Sequence, residues 1–101
     1  MTILWLFVKI AIDMNITKFK YFNTVAEIGN FSKAAEELYV SQPVVSRAIK
    51  EFEQDLNAKL FEKIDGKIRL TETGRKILPH VKALLDEYDI IKNSSKESKS
   101  N

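Results

Sequence analysis

The chain of 101 residues contains no cysteine and a single histidine, His80. Disulfides and thiolate metal sites are therefore excluded, and a reducing, cytoplasmic setting is the expectation. One histidine cannot assemble a histidine-based metal or catalytic cluster, and His80, inside a helical stretch, reads as structural. Glycine occurs only at positions 29, 66 and 74, so there is no Gly-rich phosphate loop. No nucleophile elbow and no paired-carboxylate spacing stands out either. The expectation is a protein that is not an enzyme and needs no metal or cofactor.

Long apolar runs are missing too. The run from Ile3 to Val8 stops at Lys9, whereas about 20 apolar residues are needed to cross a bilayer. With no basic start and no small-residue cleavage site, it does not read as a secretory signal, and no membrane partner is expected. A strong charge imbalance is absent as well, the net charge being +2. That balance suits nucleic acid only if the cations are clustered, so their placement decides. The 45% of hydrophobic residues suffices for one small domain with a modest core.

What is present is organised around Phe31 to Lys50, FSKAAEELYVSQPVVSRAIK. Ser32 is a candidate N-cap, followed by the helix formers Ala34 to Leu38. Tyr39-Val40 ends that helix, and Ser41 caps a second one, Gln42 to Asp55, with Pro43 in its first turn, where its missing N–H costs little. Ala35, Leu38, Val40, Val45 and Ile49 fall where two crossing helices meet. Gln42, Val44, Ser46, Arg47 and Lys50 remain on the outer face. That pattern is a helix-turn-helix with a polar, partly basic reading face.

On the N-terminal side, Ile16, Phe19, Phe22, Val25 and Ala26 recur at helical spacing, predicting a first helix over Asn15 to Ile28 that ends at Gly29. The aromatic stripe is core. On the C-terminal side, Lys59 to Thr71 predicts a hairpin turning at Asp65-Gly66, with Lys63, Lys67 and Arg69 giving it positive charge. Thr71 then caps a helix reaching Asn93. In it Ile77, Val81, Leu84, Tyr88 and Ile91 step by four and three, Leu78 and Leu85 widen the stripe, and Pro79 should kink it locally or delimit its regular part. Homodimerisation through this seam is the expectation; the alternative is a stripe packed wholly on its own domain. The polar residues 94–101 lack apolar side chains and predict a disordered tail.

Asn30-Phe31-Ser32, Ala34-Ala35, Leu38, Ser41-Gln42-Pro43, Ser46 and Ile49, continued by Leu60-Phe61, Ile68, Leu70-Thr71 and Gly74, resemble the N-terminal signature of LysR-type bacterial transcriptional regulators. The resemblance covers roughly Met14 to Asn93, and S-Q-P-x-x-S-R followed by L-F and L-T-x-x-G is far more specific than one short motif. It argues against other winged-helix families such as the MarR-like regulators. It implies a mainly α fold: a winged helix-turn-helix at 14–71, with a three-helix core and a two-stranded wing, then a long linker helix at 72–93 that dimerises. Residues 1–13 precede it; the expectation is that Met14 is the true start, the alternative being an added strand or helix that packs on the domain. Three departures are visible. Asn57 stands where glycine is usual, Phe52-Glu53 replaces Leu-Glu, and Lys63 and Gly66 replace frequent arginines.

The implied partner is double-stranded DNA, read as a partly palindromic site. Gln42 suits adenine, Arg47 guanine or a phosphate, Val44 a thymine methyl, and Pro43 the backbone or a base edge. Ser32, Lys33, Ser41, Ser46 and Lys50 suit phosphates, as do Lys63, Lys67 and Arg69 of the wing. Set against this, Ser32 and Ser41 serve equally as plain caps, and Arg47 and Lys50 could pair with Glu51 or Glu53 on a solvated face. Dimerisation falls to Ile77, Val81, Leu84, Leu85, Tyr88 and Ile91. No effector-sensing domain, and hence no small-molecule effector site, is expected in this chain. The alternative function is a dimerisation partner of a full-length regulator, a dominant-negative with little DNA reading of its own.

Overall fold

The computed structural model describes residues 2–100, in the order α1 (Thr2–Ile28), α2 (Phe31–Leu38), α3 (Gln42–Leu56), β1 (Phe61–Ile64), β2 (Lys67–Leu70) and α4 (Glu72–Ser100). The fold is mainly helical, with the hairpin as its wing. Both long helices exceed the sequence expectation. Helix α1 begins at Thr2 rather than Asn15, so residues 2–13 continue the first helix instead of forming a separate extension. Helix α4 continues to Ser100, where a disordered tail was expected after Asn93. Residues 2–13 and 94–100 contain no proline or glycine, so nothing in the backbone stops either helix there. The helix also runs through Pro79, which neither ends nor delimits it.

The core lies where α1, α2, α3 and the hairpin meet. Phe22, Val25, Val45 and Leu60 are fully buried, with Ala34, Ala35, Ile49, Phe52 and Val81 beside them. The small Ala35 is buried in the core that α2 and α3 share, as its spacing predicts. Five phenylalanines form a continuous chain through this core. Phe52 meets Phe19 edge-on at 5.2 Å and Phe22 at 5.7 Å; Phe22 meets Phe61 at 5.5 Å, and Phe61 meets Phe31 at 5.7 Å. Such pairs add about 0.5–1.5 kcal/mol each beyond area burial. Phe52, the departure from the usual leucine, is thus the ring that joins α3 to α1.

Local capping follows side-chain chemistry. The cap of α2 is Asn30, not Ser32: its Oδ1 accepts from the Lys33 backbone N–H at 2.9 Å. Gly29, at φ +75°, closes α1 just before it. Tyr39 and Asn57 end α2 and α3 in the left-handed conformation, at φ 59° and 51°. Asparagine tolerates it better than any residue but glycine. The hairpin pairs Phe61 with Leu70 and Ile64 with Lys67, and both turn residues, Asp65 and Gly66, have positive φ, as a two-residue turn of the I′ kind requires.

Two contacts lock the wing onto the helices. Glu53 of α3, with a side chain only 13% exposed, accepts from the Leu60 N–H at 2.8 Å and the Phe61 N–H at 3.5 Å, and pairs with Lys59 at 3.8 Å. Thr71 accepts from the Gly74 N–H at 3.1 Å, capping α4, and donates to the Lys59 carbonyl at 2.6 Å. Gly74 lies so near β1 that a Cβ there would press into the Leu60 carbonyl and come within 2.9 Å of Leu70 Cδ2.

Replacing Gly74 with alanine must therefore push α4 off the hairpin. The expected loss is about 1–3 kcal/mol, read as a lower urea midpoint at unchanged slope. Glu53→Ala strands two backbone donors and should cost a similar ~1–3 kcal/mol, whereas Glu53→Gln keeps an acceptor and should cost less in the same titration.

Candidate nucleic-acid interface

Helix α3 buries Val45, Ile49 and Phe52. With 3.6 residues per turn, that choice of inner face turns Gln42, Pro43, Val44, Arg47 and Lys50 outward. All five are exposed, Val44 by 43%, and Ser46 is half-buried beside them. Ser41 occupies the N-cap position but makes no side-chain cap bond, so its hydroxyl stays open to a partner. Gln42 Nε2 donates to Ser46 Oγ at 2.7 Å, which holds the Gln42 amide along the helix surface.

The wing stands beside this face and creates two grooves. One, of about 490 Å³, runs between α3 and β1, bordered by Ser46, Arg47, Lys50, Lys59 and Lys63 over a floor that includes Phe61. The other lies between the first turn of α2 and the hairpin tip and brings together Ser32, Lys33, Gln42, Lys63, Gly66 and Lys67. Lys63 borders both. The expected phosphate residues of α2, the expected base reader Gln42 and two of the three wing cations thus share one side of the molecule. Arg69 does not join them. It lines neither groove; it stands across from Glu62 on the hairpin face away from Ile68 and Leu70, which pack on the core, and by the same alternation Lys67 shares that face.

Of the nearby carboxylates, Glu53 and Glu62 line the groove between α3 and β1, while Glu51 and Asp55 are drawn to α1. Lys18 of α1 takes Asp55 at 2.9 Å and Glu51 at 3.9 Å, and Glu53 serves the wing. Among the described residues neither Arg47 nor Lys50 forms a salt bridge, so the alternative of pairing with Glu51 or Glu53 does not occur. The sequence reading overlooked Lys59, a cation at the groove edge, and the Asn30 cap. Asn30 directly after a helix-ending glycine is a cap signal in its own right; Lys59 carried no local pattern that set it apart.

The expected dimer seam of α4 divides in two. Val81 is buried in the domain's own core, and Ile77, Leu78 and Leu85 pack against that core. Tyr88 is half-buried, with Lys20 and Lys92 over its ring at 6.0 and 5.4 Å. Val81 is therefore not a contact for a second chain. α1 lies against that side of α4 and consumes it. Leu84 and Ile91 stay exposed, 42% and 64%, joined by Ile90 at 55%. His80 is exposed on the same helix. Among the described residues no group of His, Asp or Glu is arranged to hold a metal ion, and no helix is long and apolar enough to cross a membrane.

Comparison with known proteins places this geometry. The family profile described as bacterial regulatory helix-turn-helix protein, lysR family, matches residues 16–75. The HTH-type transcriptional regulator CitR of Bacillus subtilis is 46% identical over 68 residues, covering 67% of this chain and 23% of CitR. An HTH-type regulator from the ibpB-leuC intergenic region of Azotobacter vinelandii is 42% identical over 72 residues, 71% of this chain and 50% of its own length. The chain thus spans half or less of these relatives. Among solved structures, a BenM DBD in complex with catB site 1 DNA superposes with a TM-score of 0.80 at 29% identity, covering 85% of this chain and 96% of that one. A CbnR DBD–DNA complex gives 0.75 at 33% identity, with 83% and 97% covered. From its helix-turn-helix through its wing to the start of its last helix, the chain belongs to the LysR family of bacterial regulatory helix-turn-helix proteins.

Proposed function

We propose that this chain binds double-stranded DNA sequence-specifically as a dimer, as a cytoplasmic transcription regulator rather than an enzyme. The observation that carries the proposal is the outer face of α3, free of salt bridges and flanked by two cation-bordered grooves, in a chain that superposes on nearly the whole of the matched chain in two DBD–DNA complexes. In this account α3 enters the major groove with its N-terminal turn nearest the base edges. Gln42 exchanges its bond to Ser46 for two hydrogen bonds to adenine, Arg47 meets guanine or a phosphate, and Val44 and Pro43 supply apolar contact. Ser32, Lys33, Ser41, Ser46 and Lys50 hold phosphates, aided by the N-termini of both helices. Lys63 and Lys67 extend the contact past the recognition helix. Arg69 contributes only through the general field.

Dimerisation supplies the second half-site. The α4 surface available for it is Leu84, Ile90 and Ile91, since Val81 and most of the remaining stripe serve the chain's own core. Two copies related by a two-fold axis present two α3 helices to a partly symmetric site.

The test is a binding titration on a selected duplex at two salt concentrations. Arg47→Ala and Gln42→Ala should each lose about 1–3 kcal/mol, roughly 5- to 150-fold, and relax preference at a single base position. Lys33→Ala should weaken all duplexes alike and reduce the salt slope by about 1. Arg69→Ala should change affinity least of the four. Equal affinity of wild type and all variants for every duplex would refute the assignment of this face.

A further inference from the structure

The N-terminal end of α1 carries Ile3, Leu4, Trp5 and Leu6, exposed by 71%, 70%, 63% and 51%. Four consecutive residues reach most of the way round a helix, roughly 300° of its circumference, so this end is apolar on nearly every side. A helix of that kind is stable in water only when other surfaces enclose it. It lies outside the matched region, which begins at residue 16, and among the described side chains Ile16 is the first of α1 to be buried.

Helix α4 runs antiparallel beside α1. Glu27 pairs with Lys82 at 3.0 Å, and Lys20 lies over Tyr88, so moving back along α1 means moving forward along α4. By that register Leu84, two residues past Lys82, lies level with the C-terminal half of α1, and Ile90 and Ile91, just past Tyr88, lie level with its middle, on the way to the end that carries Ile3 to Leu6. That end is remote from the wing, which contacts α4 at Gly74.

We propose that the N-terminal turns of α1 are an interface element for a second copy of this chain, seated on the partner's α4 surface of Leu84, Ile90 and Ile91. This rests on the dimer described above and adds to it a contact made by residues 3–6. Two arguments favour a second copy over a bilayer surface. Seven large apolar side chains at these exposures offer several hundred Å² per chain, on the order of the ~800 Å² that each partner buries in a standard interface. A surface-bound amphipathic helix needs a basic polar face, yet Lys9 is the only charged residue before Asp13, and Asp86, Glu87 and Asp89 on α4 would repel anionic headgroups. A two-fold arrangement makes the α1–α4 contact twice, which encloses both apolar ends with one surface type.

Sedimentation of the full chain over a concentration series, beside co-sedimentation with phosphatidylserine–phosphatidylcholine vesicles, tests this. Wild type should dimerise and ignore vesicles. Leu4→Glu with Leu6→Glu should raise the dimer dissociation constant at least 100-fold with unchanged helical content, and Leu84→Glu with Ile91→Glu should do the same. If the first double variant dimerises like wild type while the second is monomeric, the N-terminal contact is refuted and the α4 dimer stands. A monomeric wild type, or two variants that both dimerise normally, overturns both. Vesicle binding by wild type that the Leu4/Leu6 variant loses would assign the segment to a bilayer instead.

Discussion

The burial of Val45, Ile49 and Phe52 is the constraint from which the rest follows. A helix with one face committed to a core has no remaining freedom of rotation. Once those three side chains pack on Phe22, Val25 and Ala35, the directions of Gln42, Val44, Arg47 and Lys50 are set to within the width of a side chain. The aromatic chain through Phe52 makes this commitment expensive to reverse, because turning α3 would break edge-on contacts to both Phe19 and Phe22. The recognition proposed for this domain therefore depends on its core as much as on its surface.

The same economy governs charge. A net charge of +2 gives little electrostatic pull, yet one side of the molecule collects Lys33, Arg47, Lys50, Lys63 and Lys67 against the carboxylates of Glu53 and Glu62. The acidic residues of α3 are occupied by structural duties. Lys18 draws Asp55 and Glu51 toward α1. Glu53, nearly buried, holds the first residues of β1 through their backbone N–H groups. That bond also sets the distance between the wing and the recognition helix, so it shapes the groove that the cations border. Gly74 completes the arrangement by letting α4 start against the Leu60 carbonyl, where any side chain would intrude.

Much of this was legible in the residue order. The burial of Ala35, the Asp65-Gly66 turn, the left-handed Asn57 and the Thr71 cap all follow from local chemistry that few other residues satisfy. Where local chemistry offered two answers, tertiary geometry chose. Asn30 and Ser32 are both good caps, and only the bond to the Lys33 N–H separates them. The α4 stripe looked like one seam because periodicity records an apolar face without recording how many neighbours share it. α1 takes Val81, Leu85 and part of Tyr88, leaving Leu84 and Ile91. Arg69 lines neither groove, although by alternation along β2 it shares its face with Lys67, which borders one of them. The ends of α1 and α4 were misjudged for a different reason: polarity or family boundaries were taken as stops, where the backbone contains no residue that ends a helix.

The most direct test is selection from a pool of random duplexes by the intact chain, followed by sequencing of the bound fraction. Two α3 helices related by a two-fold axis predict enrichment of a partly symmetric site, its half-sites separated by about one helical turn or a multiple of it. Bound duplexes with no enriched sequence, held only by salt-sensitive attraction to phosphates, would contradict the claim that this face reads bases.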